Sequence, residues 1–517
     1  MANPERKVRW WFPAVVLVLA AGLLIWVWMR PAQDRQFTQV FPTLAVVFFT
    51  GVLLFLWLLL FSGMRWRTRL RSALVAFALL ALASWLFPFR GFSGDMVPLF
   101  GFRFGGGAEL AKADPASGPS AEELAETEQD WSDCLQFRGP NGDGVFADVA
   151  ISPGWSATPP EELWRVPIGE GCSGFAVTGR RAITQMQRDD QEVTVAFDLL
   201  TGSELWTHER TARYESGPGG VGPRATPTVH GDLVLSYGGT GVLDALDLAT
   251  GEARWSHDVR AETNARQADW GVSGSPLIVD ENVVVSIGAG NGQSVVAYRL
   301  ADGERAWAAG AEEIGYGTPR LLELGGVRQI VALHRKNLVS HSVVDGSTLW
   351  SAPWDSEQAC ADVVTSPDGD VFVSSGYSVG AGRFAPRRSE DGSWSVEQVW
   401  KSRFLKAKFS NFLLIDGVLY GFDDGIFVAV DAENGRRLWK EGRFGHGQAL
   451  HVGAHLLVLG EFGELLLIEP NPDELRVVAE VEVFDQKTWN TPTLAAPYLL
   501  TRNDSEAVCL RLPIEAP

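Results

Sequence analysis

"AVDAENGRRLW", residues 429–439, is one of five near-copies of a single phrase. The others are "AFDLLTGSELW" (196–206), "ALDLATGEARW" (245–255), "AYRLADGERAW" (297–307) and "SHSVVDGSTLW" (340–350). In each, a glycine precedes the tryptophan by four residues: Gly202, Gly251, Gly303, Gly346 and Gly435. A tight hairpin needs one residue at positive φ, which glycine adopts without steric cost. Asp198, Asp247 and Asp431 precede their glycines by four residues, where a carboxylate can accept turn N–H groups. The tryptophan then has a large aromatic face to bury between neighbouring units. Each of these roles is architectural.

The phrase belongs to a longer period. Trp164, Trp206, Trp255, Trp307, Trp350, Trp400 and Trp439 are spaced by 42, 49, 52, 43, 50 and 39 residues. An eighth, degenerate copy, "LIEPNPDELRVV" (467–478), puts Val478 at the tryptophan position. Between the phrases lie short apolar strands such as "LVLSYGG" and "VVVSIGAG", after openings such as "ATPTV" and "GSPLI". A period of 40–50 residues built from short strands predicts a β-propeller. The expected fold over 162–517 is all-β, an eight-bladed propeller of four-stranded blades. The chain ends on two strands without a final Trp strand, whereas "EELWRV" (161–166) is a Trp strand with no blade before it. That strand is expected to complete the last blade and remove the open edges.

Three apolar runs precede the repeats, at 10–29, 40–62 and 72–89. About 20 apolar residues span a bilayer, so 1–92 reads as an anchor of three transmembrane α-helices. Arg6, Lys7, Arg9, Arg65, Arg67, Arg69 and Arg71 flank one side, against Arg30 and Arg35 on the other. The excess places the N-terminus and second connection in the cytoplasm. Everything after residue 90 then lies across the membrane, in the periplasm of a bacterial inner membrane. Residues 93–130 read as an acidic linker, with a short helix over 120–129 opened by Ser120 and Glu123 in capping-box spacing. Residues 131–161 form a pre-propeller segment.

Charge narrows the partners. Residues 1–92 hold ten Lys/Arg and two Asp/Glu, so the remainder carries 34 Lys/Arg against 61 Asp/Glu. So acidic a body is a poor polyphosphate binder, which sets nucleic acid aside. The expected partners are the bilayer, through the helices, and an envelope protein. Cys134, Cys172, Cys360 and Cys509 allow three full pairings. Cys134–Cys509 or Cys134–Cys172 could clamp the ring, with free buried thiols as the alternative.

Three local patterns carry no expected chemistry. "GYSVG" (376–380) fits a nucleophile elbow in letters, but no helix follows it. "GPNGDG" (139–144) has no helix N-terminus to hold a phosphate. His451 and His455 flank a turn, and neither they nor His446 are expected to bind metal.

The phrase "ALDLATGEARW" resembles the tryptophan-docking motif of the PQQ-type propeller family, and "FRGPNGDG" (137–144) resembles a signature of its PQQ-binding-like repeat branch. That family includes quinoprotein dehydrogenases and the propeller lipoprotein of the outer-membrane barrel-assembly machinery. The resemblance covers 131–512 and implies the fold. For function it implies two readings. One is a non-catalytic binding or scaffold module with no cofactor. The other is a PQQ-dependent alcohol or sugar dehydrogenase, with Ca²⁺, feeding membrane quinone. A purely structural envelope role is a third reading. No adjacent cysteine pair, C-x-x-C-H haem site or Glu–Asn–Asp calcium set is matched here, so no catalytic residue is assigned. Residues near strand starts are expected to line the mouth of the axial channel: Arg224, Trp270, Tyr316, Lys408, Asn411 and Trp489. They combine aromatic faces with polar tips, as a peptide or small-ligand site does.

Overall fold

The computed structural model describes residues 8–30, 35–103, 131–217 and 219–515. The chain divides into two compact units, 1–107 and 108–517. The expected acidic helix at 120–129 lies outside the described residues.

The first unit holds helices α1 (Trp11–Trp28), α2 (Gln36–Phe61) and α3 (Trp66–Leu86), all long and apolar enough to cross a membrane. At 1.5 Å per residue, 18 residues reach about 27 Å, near the thickness of a bilayer core. Their apolar side chains are largely exposed, as lipid-facing ones are. The third helix begins earlier than its apolar run, because Arg67, Arg69 and Arg71 join its first turns. Arg69 then donates to the Leu59 carbonyl at 2.7 Å, satisfying an acceptor at the end of α2, and to Met64 O of the connection at 2.9 Å. Residues 89–92 and 98–100 pair as a hairpin, and Arg35 bonds Asp95 at 3.2 Å.

The second unit contains eight antiparallel sheets around an axis. Blades 1–7 span residues 176–211, 228–258, 277–309, 320–353, 364–402, 413–441 and 448–482. Blade 8 is built from 493–495, 498–502 and 506–511 with 161–167 as its outermost strand. Cys509 lies opposite Trp164 in that sheet, so the N-terminal Trp strand closes the ring. First strands of neighbouring blades touch one another around the axis. Second and third strands are covered on both faces, which is why they read as unbroken apolar runs: Leu233–Tyr237 is buried throughout. Outer strands alternate, as Ala253–Asp258 does.

The repeated phrase proves to be a joint between blades. The five glycines have φ between +69° and +75°. Each Gly N–H donates to the carbonyl four residues back, as from Gly251 to Asp247 O at 2.8 Å. The tryptophan of the preceding blade lies flat on that turn. Trp164 covers Gly202, Trp206 covers Gly251, Trp255 covers Gly303, Trp307 covers Gly346 and Trp400 covers Gly435. The indole N–H then donates to the same turn, from Trp164 to Leu199 O at 2.8 Å, Trp206 to Leu248 O at 3.0 Å and Trp255 to Leu300 O at 3.0 Å. Trp400 bonds Ala432 O at 3.1 Å and Trp439 bonds Asn471 O at 2.8 Å. Trp350 differs. Blade 5 has a long hairpin without the glycine turn, and Trp350 bonds Gln329 of its own blade at 2.6 Å.

A β-bulge lies at the same register in all eight blades, just before the tryptophan in the seven that have one, re-aiming the side chain toward its neighbour. It also corrects the eighth copy. Leu467 pairs with Ala479, the register position of Trp elsewhere, and Val478 is the bulged residue.

All four cysteines are free thiols, the alternative to a Cys134–Cys509 or Cys134–Cys172 bridge. Cys134 pairs through its backbone with Val177 instead, and Cys509 lies within blade 8. Burial pushes both thiols up to about 12. The thiolate is the reactive form. Native protein at neutral pH is therefore expected to leave Cys134 and Cys509 unlabelled by a maleimide, with both reacting after denaturation. Mass spectrometry of labelled peptides reads this directly.

Candidate functional site

Antiparallel blades have two faces. The turns joining first to second and third to fourth strands form one face, where the tryptophans dock. The connections into each blade, with the turns between second and third strands, form the other, called here the funnel face.

The axial channel is closed from the docking face by residues 131–149. Cys134 exchanges backbone hydrogen bonds with Val177 of blade 1 at 2.9 and 2.7 Å, and Val229 N of blade 2 donates to Leu135 O at 2.8 Å. Val145–Phe146 adds a fifth, parallel strand inside blade 7, against His451 and Val452. Arg320 of blade 4 donates to Asn141 O at 3.0 Å. Arg138, in the left-handed region at φ +61°, sends its side chain into the interior. It donates to Phe412 O of blade 6 at 3.2 Å and pairs with Asp362 of blade 5 at 3.8 Å, both side chains wholly buried. Burial pulls Arg138 down to about 10 and pushes Asp362 up, opposed in each case by the partner charge. Two glycines of the FRGPNGDG motif have steric reasons. A Cβ on Gly139 would lie 2.6 Å from the Phe146 ring, and one on Gly144 2.8 Å from Arg138. The motif is thus a plug. Beneath it a cavity of about 310 Å³ remains between Gln136–Gly142 and the first strands of blades 3 and 4.

The funnel face carries a set of aromatic rings, of which Trp270, Tyr377, Phe409 and Trp489 are partly exposed and Tyr316 and Tyr214 are buried. Trp270 stacks on Tyr316 with centroids 5.5 Å apart and meets Tyr377 at 5.7 Å. Lys408 Nζ lies 5.2 Å from the Tyr377 ring. Phe409 packs on Trp489 at 4.6 Å and on His446 at 5.2 Å. Lys487 Nζ sits 4.0 Å over Trp489, and Arg224 sits 4.6 Å over Tyr214. Burial pushes the Tyr316 phenol up to about 12, so it remains a donor. Of the expected mouth residues, Trp270, Tyr316 and Lys408 come together, joined through Tyr377. Trp489 belongs to a second cluster. Arg224 also clamps its own loop, donating to Gly219 O at 2.8 Å and Gly220 O at 3.1 Å. Asn411 is placed behind the mouth. It is buried, and its Oδ1 accepts the Asp362 N–H at 2.7 Å.

Sequence reasoning missed Tyr377, Phe409 and Lys406. Tyr377 and Ser378 lie in the left-handed region at φ +53° and +69°, inside the GYSVG turn. Non-glycine residues held there cluster at functional sites. That strained turn aims Tyr377 into the mouth, and the letters alone give no sign of it. Lys406 lies between Asp423, at 2.6 Å, and Asp424. Burial opposes its charge, but Asp424 and Asp423 outweigh burial and hold the ammonium above its ordinary value.

A pyrroloquinoline quinone–calcium pair needs carboxylates open to a cation. Among the described residues, the buried carboxylates around the axis are committed elsewhere. Asp362 faces Arg138 and accepts the Thr318 N–H at 2.7 Å, and Asp423 and Asp424 hold Lys406. Glu461 accepts the Trp489 indole N–H and the His446 backbone N–H, each at 3.0 Å. These residues do not fit that group.

A PQQ-type repeat model, described as "Outer membrane protein assembly factor BamB", matches residues 154–309 and 189–441. The chain belongs to this family. Among solved structures, this PQQ-type propeller is similar to the quinohemoprotein alcohol dehydrogenase of Comamonas testosteroni. Identity is 10%, coverage 77% of this chain and 83% of the other, and the TM-score 0.55. A second quinohemoprotein alcohol dehydrogenase, from Pseudomonas putida HK5, gives 11% identity, 79% and 84% coverage and a TM-score of 0.55. BamB of Moraxella catarrhalis gives 14% identity, 69% and 99% coverage and a TM-score of 0.49. At these identities the likeness of the PQQ-type propeller to solved structures concerns fold alone. A search of curated protein sequences finds no match.

Proposed function

We propose that the protein is a membrane-anchored binding module, and that its funnel-face mouth holds a segment of an envelope protein. The observation carrying this reading is the pair of partly exposed rings Trp270 and Tyr377, backed by the buried Tyr316 and Lys408 side chains, on a closed ring. Trp and Tyr side chains anchor protein interfaces, because each combines a large apolar face with a polar tip. The plug works in the same direction. It fills one end of the axis with backbone hydrogen bonds and leaves a rigid surface at the other. The family's description as an outer membrane assembly factor agrees with a protein-handling role. Arg65 before α3 and Arg67, Arg69 and Arg71 in its first turns support a cytoplasmic second connection, and hence a periplasmic propeller on the inner membrane.

The test is in-cell crosslinking through the mouth, followed by identification of the captured protein. Trp270→Ala and Trp489→Ala are each expected to weaken capture at least tenfold while leaving the thermal midpoint within a few degrees of wild type, since single interface anchors are worth about 2 kcal/mol or more. Capture that survives both substitutions would overturn the assignment of the mouth. A stoichiometric quinone absorbance on adding pyrroloquinoline quinone and Ca²⁺, with alcohol-dependent dye reduction, would replace the binding reading with the dehydrogenase one.

A further inference from the structure

Blades 3 and 4 meet at a group of side chains that the propeller fold does not require. Glu312 lies on the segment entering blade 4. His334 lies in the turn between the second and third strands of that blade, and His341 lies on the third strand. One ligating atom from each lies within 4.8 Å of the other two. Both imidazoles are fully buried. Among the described residues, Nε2 of His341 and Oε2 of Glu312 are buried without a hydrogen-bond partner, and the buried ring nitrogens of His334 make no well-formed bond, with the Glu313 backbone in weak reach of the ring. Buried polar atoms are nearly always partnered, because leaving one unpaired costs about 1–3 kcal/mol. One such atom from each of three residues, converging on one place, needs a reason.

The surroundings orient the set as a cation site would be oriented. His341 Nδ1 lies 2.9 Å from Gly346 O, so its N–H donates there and the Nε2 lone pair turns toward the other two residues. Metal-bound histidines are commonly held this way by a backbone carbonyl behind the ring. Ser294 Oγ donates to Glu312 O at 2.7 Å, tying the glutamate's backbone to blade 3. Gly310, at φ +83°, leaves room for the group. A Cβ there would lie 2.7 Å from Glu312 Oε2 and 3.1 Å from His341 Cε1. The nearby Arg335 does not consume Glu312, since it pairs with Glu313 and Glu357.

From this geometry we propose that Glu312, His334 and His341 form a transition-metal site of the zinc class, bridging blades 3 and 4. Two imidazoles and one carboxylate suit Zn²⁺ and its neighbours, whereas Ca²⁺ and Mg²⁺ take oxygen ligands. A tetrahedral zinc with bonds of about 2.0–2.1 Å holds its ligands about 3.4 Å apart, so rotations moving each atom by roughly an ångström close the set. Three protein ligands leave a fourth position for water, on the partly exposed side of Glu312. The ion also has a structural task at this place. Trp307 docks on blade 4 with its indole N–H unpartnered among the described residues, unlike the indoles of Trp164, Trp206 and Trp255. The metal supplies the joint that this hydrogen bond supplies elsewhere.

The test uses full-length protein in detergent, prepared without a polyhistidine tag, stripped with chelator and titrated with Zn²⁺ and Co²⁺. The expected result is one ion per chain, visible d–d absorption from the cobalt form and a rise in thermal midpoint on metal addition. Ca²⁺ should do none of these. Glu312→Gln and His341→Ala should each weaken zinc at least tenfold and abolish the cobalt bands. Glu312 is partly exposed, so its variant decides the matter should a histidine variant fail to fold. Absence of stoichiometric zinc or cobalt binding, or unchanged binding in Glu312→Gln, would overturn the proposal.

Discussion

Arg138→Ala is expected to lower propeller stability by about 3–5 kcal/mol, the usual cost of removing one partner from a buried ion pair. Arg138 and Asp362 are both wholly enclosed, so the carboxylate left behind cannot be rescued by water. Arg320 also acts on Asp362 and sets the effect at the lower end of that range. The loss should be visible as a fall in the denaturant midpoint. It should also appear locally, as earlier proteolysis within 131–149, because the guanidinium ties the plug to blades 5 and 6. Asp362→Asn on the Arg138→Ala background should recover part of the stability, since the two residues form one unit and their effects are not additive. An Arg138→Ala protein with wild-type midpoint and protease resistance would show that the plug is not anchored through this pair.

Gly251→Ala is expected to cost about 3 kcal/mol, and Gly231→Ala in the same blade only about 1 kcal/mol. Both glycines have positive φ, +74° and +59°, so both substitutions meet the same kind of backbone penalty. They differ in what surrounds them. A Cβ at 251 would lie 2.5 Å from the Trp206 ring, while nothing lies within 4 Å of one at 231. Close-packed interiors relax only partly around an added methyl, and overpacking costs about 1–3 kcal/mol. In a closed ring the tryptophan cannot withdraw without opening its blade joint. Urea denaturation of the two variants side by side separates the contributions. Equal losses would mean that turn conformation alone explains the conserved spacing within the repeats.

The repeated phrase made the fold legible because a ring uses the same joint many times. Period, turn chemistry and aromatic burial are local properties, and each recurs in the letters. Ring closure was legible for a related reason. A Trp strand without a blade at 161–166 and a blade without a Trp strand at 493–511 imply one another. The apolar runs of the three helices were equally plain, because a bilayer imposes length and composition on a single segment. The finer register was not legible. A β-bulge shifts pairing by one residue without any composition signal, and so Ala479 rather than Val478 occupies the eighth tryptophan position.

The candidate sites divide in the same way. That Trp270, Tyr316, Lys408 and Trp489 stand near strand starts can be counted along the chain. That Tyr377 completes their arc depends on a left-handed turn, and that Asn411 faces inward depends on Asp362 of another blade. Glycines 139 and 144 looked like ordinary turn residues, and only the approach of Phe146 and Arg138 gives them a steric purpose. Glu312, His334 and His341 are 22 and 7 residues apart in sequence and fit no spacing motif. The sequence by itself determined the ring, its repeated tryptophan joints and its three apolar helices, because these rest on short-range periodicity. Only the tertiary structure decided what fills the axis, what faces the mouth and which unpaired polar atoms meet between blades. Those are contacts between residues that the chain brings together only when the ring has closed.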